Sequence, residues 1–413
     1  MVNNFINIIS KKFRIDGHYF IHGGFWLSTT QVVTVLAGLG TTSLFAHYLS
    51  ENDYGTYRYL IGLAVILSTL SLSGIGQSII QATSQKHFAF YREILKLNFF
   101  YSIPSFFISL CGALYYFYKD NHLLAMSCVA IALLQPLISI FQYTPHFLQG
   151  ARRFKESATL SSISTIFSAI ISILILFITQ SIFTLFVTYL ATSAITSIVS
   201  FLYYRPTIYH STPPKVLQRY VSYAKHTSVR NIIANIAQRA DSIVVFTQLG
   251  AAELAIYSIA SVIPEQIKGS FKNLAALLLP KYASHENISA LKQSIPKRSM
   301  QLLTIILLIT IAYIIVVPYL FQLIFPKYVH AVIYTQIAAL AFPTFVLFIP
   351  QSILQSRAAE AELYKTTLYG SLFQIIFLLF FVWQFGLLGA IVARVLSRYI
   401  NCIINYIYVY KLK

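Results

Sequence analysis

The sequence predicts an all-α integral membrane protein with about twelve transmembrane helices. Hydrophobic residues make up 57% of the 413 residues and charged residues only 10%, whereas an average soluble domain is about a quarter charged. The mean hydropathy is +0.68. Apolar runs of about 20 residues, the length that a helix needs to cross a bilayer, recur along the whole chain. A soluble globule of this composition would precipitate.

The apolar runs divide into twelve predicted spans. The first is too long for the apolar core of a signal peptide, so we predict that it is an uncleaved span. The connections at Gln180 and at Phe385 and Gly386 are short and predict tight turns between helices. The predicted spans are 22–48, 56–81, 94–117, 122–147, 158–179, 183–204, 230–249, 254–279, 300–325, 332–355, 367–384 and 387–410.

The charges of the loops predict the orientation, because Lys and Arg accumulate on the cytoplasmic side of membrane proteins. When the loops are assigned alternately to the two sides, one side holds nearly all of the loop Lys and Arg. The other side holds only Arg58, Lys119 and Lys327. We therefore predict that both termini are cytoplasmic. The net charge of +18 is then mainly an orientation signal, and we expect no binding of nucleic acid.

The loop between spans six and seven is one of the two longest. It contains Pro206, Pro213 and Pro214, followed by an amphipathic stretch at 216–223 that we expect to lie along the inner membrane surface. This loop predicts a division into two halves. The predicted parts are an N-terminal six-helix bundle at 1–204, a cytoplasmic linker at 205–229 and a C-terminal six-helix bundle at 230–413.

The two halves carry a shared motif. Leucine, an acid, a small residue and tyrosine recur in the same order at 49–57, between spans one and two, and at 249–257, between spans seven and eight. The acid is expected to cap free amides and to offset the positive end of the helix dipole. Recurrence one half-protein later indicates two pseudosymmetric six-helix bundles.

These motifs resemble those of the polysaccharide (O-antigen) flippase family of the multidrug/oligosaccharidyl-lipid/polysaccharide (MOP) exporter superfamily. The resemblance rests on the 49–57 motif, on the loop 148–155 after span four, and on Asp241 with Tyr257. It implies a MATE-like MOP fold with two bundles facing a central cavity. It also implies translocation of undecaprenyl-diphosphate-linked oligosaccharide from the cytoplasmic to the outer leaflet by alternating access.

The resemblance further implies a place and partners. The place is the cytoplasmic (inner) membrane of a bacterium. The cargo is a lipid-linked repeat unit of O-antigen or of another surface polysaccharide, as in lipopolysaccharide biosynthesis. Contact with membrane lipids, and with a polysaccharide polymerase and its chain-length machinery, would follow. The chain is then a transporter and not an enzyme.

Charged side chains inside the predicted spans are candidate functional residues, because a charge at the bilayer centre costs at least about 2.5 kcal/mol. Helical spacing places Ser261, Glu265, Lys268 and Lys272 on one face of span eight. Spans seven and twelve carry similar polar stripes. The members of these two stripes are Asn231, Asn235, Gln238, Ser242, Arg394, Arg398, Asn401 and Asn405.

Five basic residues in spans against two acids predict a cationic cavity for the diphosphate of the cargo. The predicted cations are Arg239, Lys268, Lys272, Arg394 and Arg398, with Asn235, Gln238 and Asn401 as polar neighbours. Arg58 is either their counterpart in the N-terminal half or an interfacial arginine. The alternative is that these charges pair within the bundle, Glu265 with Lys268, and Asp241 with Arg239 or with an arginine of span twelve.

The two acids, Asp241 and Glu265, are alternatively sites for a coupling proton or sodium ion. Pro264 adjoins Glu265 and is predicted to be a hinge. We predict no other cofactor and no metal, because Cys111, Cys128 and Cys402 share no ligand spacing.

Two other functions remain open from the sequence. A multidrug exporter of the same superfamily would carry organic cations, and the basic excess argues against it. A membrane-bound polysaccharide polymerase or ligase would present a large outer loop, whereas every predicted outer loop is short.

Overall fold

The computed structural model describes residues 17–204, 213–276, 288–357 and 359–412. Over these ranges the chain is helical and contains no β-strand. Seven helices of the described part are long and apolar enough to cross a membrane, or eight if a pair of helices bent by 40° counts as one span. The outward faces are strongly apolar: Ile178, Leu323 and Trp383 are 74%, 81% and 77% exposed, as expected for side chains that face lipid.

The helices of the first half follow the predicted spans one to six. They are α1 (Gly17–Tyr48), α2 (Glu51–Thr69), α3 (Ile75–Ser84), α4 (Ala89–Tyr118), α5 (His122–Phe141), α6 (Thr144–Gly150), α7 (Phe154–Thr179) and α8 (Ile182–Tyr204). Span two is therefore interrupted between α2 and α3, and span four ends in the separate short helix α6. The turn at Gln180 is confirmed, because this residue adopts a left-handed conformation with φ 48° between α7 and α8.

The second half contains the longest helices. They are α9 (Pro214–Leu249), α10 (Ala251–Ala276), α11 (Ile288–Ile324), α12 (Val332–Ala339), α13 (Phe348–Ser356) and α14 (Glu360–Lys411), with 3-10 turns at Pro326–Ala331 and Phe342–Leu347. The predicted turn at Gly386 is confirmed, because this residue has φ 56° and ψ −132° and breaks α14 in two. Span ten is broken into α12 and α13 by the 3-10 turn at Phe342–Leu347. Spans seven and eight lie on α9 and α10, which carry more polar residues than the other spans.

The prediction of a linker up to residue 229 is wrong, because α9 already begins at Pro214 and continues without interruption. Proline favours the first turn of a helix, where its missing N–H is not needed. The stretch 216–223, which we expect to lie along the inner membrane surface, belongs to α9 and packs one face against the protein. Tyr220 is 1% exposed and packs against Phe90 with ring centroids 5.3 Å apart, and its hydroxyl donates to Gln85 at 2.6 Å.

The chain forms two compact units, Thr29–Arg239 and Met1–Ser28 with Ala240–Lys413, as far as these ranges are described. In the unit Thr29–Arg239, α9 is held against the start of α3 at very short range. The Gly74 N–H donates to the Ser228 hydroxyl at 2.8 Å, and the Ser78 hydroxyl donates to the Tyr220 carbonyl at 2.8 Å. A Cβ atom at Gly74 would lie 2.4 Å from the Ala224 carbonyl oxygen, so only glycine permits this approach.

The unit that contains Ala240–Lys413 has its own apolar core between α11, α13 and α14. Ile295, Ile353 and Leu354 are buried there. The Tyr313 and Thr335 hydroxyls are hydrogen-bonded at 2.6 Å, which ties α11 to α12. Lys292 donates to the Tyr410 carbonyl at 2.9 Å and so satisfies a carbonyl at the end of α14 that has no partner within the helix.

Candidate functional site

A cluster of charged side chains lies inside the unit that contains Ala240–Lys413. It draws on the last part of α9, the middle of α10 and the second part of α14. We call it the charged cluster; its members are Asp241, Tyr257, Ser261, Glu265, Lys268, Arg394 and Arg398. The four α10 members follow one another at intervals of four, four and three residues, so they share one helix face.

Arg394 is the centre of the charged cluster. Its guanidinium lies 3.3 Å from the Asp241 carboxylate and 3.5 Å from the Glu265 carboxylate, and it donates to the Ser261 hydroxyl at 2.8 Å. It also lies over the ring of Tyr257, 5.4 Å from the centroid. One side chain of α14 therefore contacts both carboxylates and two further residues of α10.

Asp241 is satisfied on both oxygens. Oδ2 accepts a hydrogen bond from the Tyr257 hydroxyl at 2.6 Å, and Oδ1 accepts one from the Ser242 N–H at 2.8 Å. Its side chain is only 6% exposed. A buried carboxylate is tolerated where it is paired and hydrogen-bonded in this way.

Glu265 is shared by three cations. Arg398 forms an ion pair and hydrogen bond with Oε1, Arg394 approaches the same oxygen, and Lys268 lies 3.5 Å from Oε2. The Glu265 and Lys268 side chains are 32% and 28% exposed, so they form the accessible edge of the cluster. The cavity beside Pro264 and Arg398 has a volume of about 10 Å³, about the least that one water molecule needs.

The structure therefore contains the pairing that the sequence left as an alternative. Glu265 pairs with Lys268, and Asp241 pairs with Arg394 of span twelve. Three basic side chains against two carboxylates leave one positive charge, which is less than the predicted excess. The Lys272 side chain is outside the described ones.

Two further predicted residues, Asn401 and Pro264, lie near members of the cluster in sequence. Asn401 accepts a hydrogen bond from Asn405 at 2.6 Å and packs on Gly370, where a Cβ atom would lie 2.6 Å from its Nδ2. Helix α10 continues through Pro264, so the predicted hinge there stays a prediction.

A larger cavity lies wholly within the unit Thr29–Arg239. Its volume is about 650 Å³, and α1, α2, α5, α7 and α8 line it. We call it the hydroxyl cavity, because Ser, Thr and Tyr side chains dominate its wall. The hydroxyl-bearing residues are Thr34, Thr41, Thr42, Tyr54, Tyr57, Ser161, Ser164, Thr165, Ser168, Ser172, Tyr189, Ser193, Thr196, Ser197 and Ser200.

Arg58 is the charged residue of this wall, and no Asp or Glu belongs to the described lining. It lines the cavity together with Tyr54, Tyr57 and Tyr189. The sequence left Arg58 either as a counterpart of the cations in the N-terminal half or as an interfacial arginine. The structure favours the first interpretation, because Arg58 faces the interior of that half.

The remaining predicted residues of α9 do not belong to the charged cluster as described. Arg239 belongs to the unit Thr29–Arg239. Asn235 donates to the Thr69 hydroxyl at 3.4 Å, a structural contact, and Gln238 is exposed.

The sequence analysis missed the hydroxyl cavity, although the signal was present. On α7 the lining residues Ser161, Ser164, Thr165, Ser168 and Ser172 follow a helical period. Single hydroxyls are common in membrane helices because they bond to the backbone of their own helix. Only the fold brings this stripe opposite the second one on α8.

The repeated motif caps helices differently from the prediction. At the start of α2 the amide is capped by Ser50, whose side chain accepts from the Asp53 N–H at 3.1 Å and donates to the Asp53 carboxylate at 2.7 Å. The acid thus supports the cap and is not itself the cap. In the second half the corresponding residue is Gly250, with φ 100°.

The fold and the charged cluster define a polytopic, all-α membrane protein with ion-paired charges inside its helices. The sequence profile of the family described as polysaccharide biosynthesis protein matches residues 20–277. Because this match covers well over half of the chain, the protein belongs to that family.

Several solved structures share the fold. A lipid II flippase, MurJ, in an inward closed conformation has a TM-score of 0.67 at 15% identity, with 94% of this chain and 86% of that chain covered. A MOP superfamily transporter from Pyrococcus furiosus has a TM-score of 0.64 at 13% identity, with 95% of both chains covered. An outward-facing multidrug resistance MATE family transporter has a TM-score of 0.58 at 13% identity, also with 95% of both chains covered. No curated protein sequence matches the chain. The predicted MATE-like MOP fold is confirmed.

Proposed function

We propose that the protein is a flippase that moves an undecaprenyl-diphosphate-linked oligosaccharide, a repeat unit of a surface polysaccharide, from the cytoplasmic to the outer leaflet by alternating access. The observation that carries this proposal is the match to the polysaccharide biosynthesis family over 20–277 in a chain made of apolar helices. The structural similarity to a lipid II flippase supports the proposal, because that protein has the same fold.

The charged cluster supports a role for the C-terminal half in holding the diphosphate. Its single surplus positive charge attracts an anion, and its accessible edge is formed by Lys268 and Glu265. Arg394 is mainly a positioning residue, because its guanidinium is already paired with the Asp241 and Glu265 carboxylates. Lys268 is the cation that a phosphate reaches first, since its side chain is 28% exposed and its contact to Glu265 is 3.5 Å long.

Asp241 and Glu265 are the proposed sites of ion coupling, if a gradient drives the transport. Protonation of Glu265 would release Arg398 and Lys268 to other anions. Transport in vesicles that is indifferent to both pH and sodium gradients would exclude this coupling and leave the flippase proposal intact.

The direct test is deletion of the gene in its natural host. If the protein is a flippase, its loss should leave lipid-linked oligosaccharide on the inner leaflet, where a periplasmic glycosidase does not reach it. Accumulation of single repeat units on the outer leaflet would contradict the proposal and would indicate a polymerase or ligase. Loss of resistance to cationic drugs, with surface glycan unchanged, would indicate a multidrug exporter.

The role of Lys268 is tested by Lys268→Gln in the complemented deletion strain. We expect glycan export to fall about tenfold, as for the loss of one charge-assisted phosphate contact, while Lys268→Arg retains most of it. Lys327→Gln, an exposed cation of the same unit, is the matched control. Export at the wild-type level in Lys268→Gln, at normal abundance, would remove this residue from the site.

A further inference from the structure

The hydroxyl cavity is not explained by the charged cluster or by the cap and packing contacts of the helices around it. Its volume of about 650 Å³ falls within the range of about 300–1,000 Å³ that is typical of small-molecule sites. All of its lining residues belong to one compact unit. The chemistry of its wall therefore indicates what it binds.

Seven of the fifteen hydroxyls of the wall have committed their protons to acceptors within the protein. Six of them donate to the backbone carbonyl of the residue four positions earlier in the same helix. These six are Thr34, Thr41, Thr165, Ser193, Thr196 and Ser200. The Ser168 hydroxyl lies 3.0 Å from that of Thr192, which donates elsewhere, to the Thr188 carbonyl. Ser168 is therefore also a committed donor.

A hydroxyl that donates its proton still has lone pairs to offer. The seven committed hydroxyls are thus hydrogen-bond acceptors, and the other hydroxyls of the wall can both donate and accept. A sugar carries several hydroxyls on a rigid ring that also donate and accept, so it matches this mixed surface. Free phosphate at neutral pH offers mainly acceptors and leaves the committed hydroxyls unpaired. The aromatic rings of Phe45, Tyr57 and Phe141 on the same wall offer flat apolar faces for the C–H side of a sugar.

Two side chains of the wall are suited to an acidic ligand. Tyr54 is 1% exposed and lines the cavity, and its hydroxyl makes no well-formed hydrogen bond among the described residues, although the Thr42 side chain lies near it. Arg58 belongs to none of the described ion pairs, and no described carboxylate lines the cavity with it. A buried polar atom without a partner is costly, so a ligand that accepts at Tyr54 and Arg58 completes the site.

We propose that the hydroxyl cavity binds one sugar residue that carries a single acidic group, a carboxylate or a phosphate ester, with Arg58 paired to that group. The inference rests on the proposed transport of a glycan and adds a recognition site in the N-terminal half. Arg58 selects the acidic group, and the hydroxyls of the wall select those of the sugar.

The test uses purified full-length protein in lipid nanodiscs, with Ser164→Cys as a reporter in the cavity and the three native cysteines replaced by alanine. The rate at which a soluble maleimide labels this cysteine is measured with methyl glucuronide, glucose 1-phosphate, methyl glucoside or inorganic phosphate. We expect both acidic sugars to slow the labelling at concentrations where methyl glucoside and phosphate do not. Lys119→Cys, on an exposed loop, controls for effects of the sugars on the reagent.

Arg58→Gln should weaken protection by both acidic sugars about tenfold, as for the loss of a hydrogen bond to a charged group, and should leave the weak effect of methyl glucoside unchanged. Arg58→Lys should restore part of the protection, and Lys119→Gln should change nothing. Protection by one acidic sugar and not by the other identifies the acidic group. Saturation-transfer NMR on the unmodified protein provides the same comparison if the cysteine-free background is unstable.

Inorganic phosphate that protects as well as the acidic sugars would overturn the proposal in favour of a plain anion site. Absence of protection by every sugar would overturn it altogether. These results are separate from the deletion test, because binding is measured without transport: a failed binding test leaves the flippase proposal standing, and a failed deletion test leaves the sugar site standing.

Discussion

Arg394 shows how one side chain determines whether buried charges are tolerable. Its 17% exposed side chain neutralises Asp241, which is 6% exposed, and also approaches Glu265. Removing one member of a buried ion pair leaves the other without compensation, and this costs more than the pair itself contributes. Arg394 is therefore expected to matter first for stability.

The prediction for Arg394→Gln is a loss of about 3 kcal/mol of stability, measured as a lowered unfolding midpoint of the protein in detergent. Asp241→Asn together with Arg394→Gln should cost less than the sum of the two single changes. The control is Arg153→Gln, which breaks an exposed ion pair with Glu156 and should cost under about 1 kcal/mol. An unchanged midpoint in Arg394→Gln would contradict the prediction.

Residue patterns predicted part of the charged cluster. Helical spacing correctly placed Ser261, Glu265 and Lys268 on one face, and it placed Arg394 with Arg398. The partners across helices were not predictable, since Arg398 and Glu265 are 133 positions apart and many pairings satisfy the same spacing. For the same reason the predicted excess of charge was larger than the excess in the described cluster.

At the scale of the helices, the sequence predicted the apolar elements best. Each predicted span lies mostly on helix where the structure describes it, with breaks in spans two, four and ten, because a run of apolar residues has few other stable conformations in lipid. The polar start of α9 was missed. Pro213, Pro214 and several charges resembled a loop, and only the close approach of Gly74 shows that this segment packs as a helix.

This packing of α9 predicts a large effect of Tyr220→Ala. The side chain is buried against Phe90 and bonds to Gln85, so its removal should cost about 3–5 kcal/mol. Tyr220→Phe loses only the hydroxyl and should cost about 1 kcal/mol. The unfolding midpoint in detergent measures both. Equal and small effects would instead favour a segment lying on the membrane surface.

The contact of α3 with α6 predicts that Gly150→Ala is poorly tolerated. A Cβ atom at this position would lie 1.8 Å from the Thr83 hydroxyl oxygen and 2.7 Å from the Ile80 carbonyl oxygen. Overpacking of this kind costs about 1–3 kcal/mol, and Thr83→Ala should relieve only part of it because the Ile80 contact involves the backbone. Gly40→Ala is the control, since nothing lies within 4 Å of its Cβ position. Equal stability of the two alanine variants would contradict this account.

At the scale of the whole molecule, the loop charges predict how the protein is oriented in the membrane. Lys and Arg are concentrated in alternate connections, and a single missing span would place half of them on the wrong side. The predicted arrangement requires that equivalent connections of the two halves face the same way.

Cysteine labelling tests this orientation on intact cells. Lys119→Cys and Lys327→Cys lie at predicted outer connections, and Lys86→Cys and Lys365→Cys lie at predicted inner ones; all four positions are exposed. In a background without native cysteines, a membrane-impermeant maleimide should label the first two, and the second two only after the cells are opened, because cationic loops are retained on the cytoplasmic side. Labelling of Lys119→Cys but not Lys327→Cys on intact cells would mean an odd number of spans between them. That result would overturn the six-plus-six arrangement, on which the proposed transport by two equivalent halves depends.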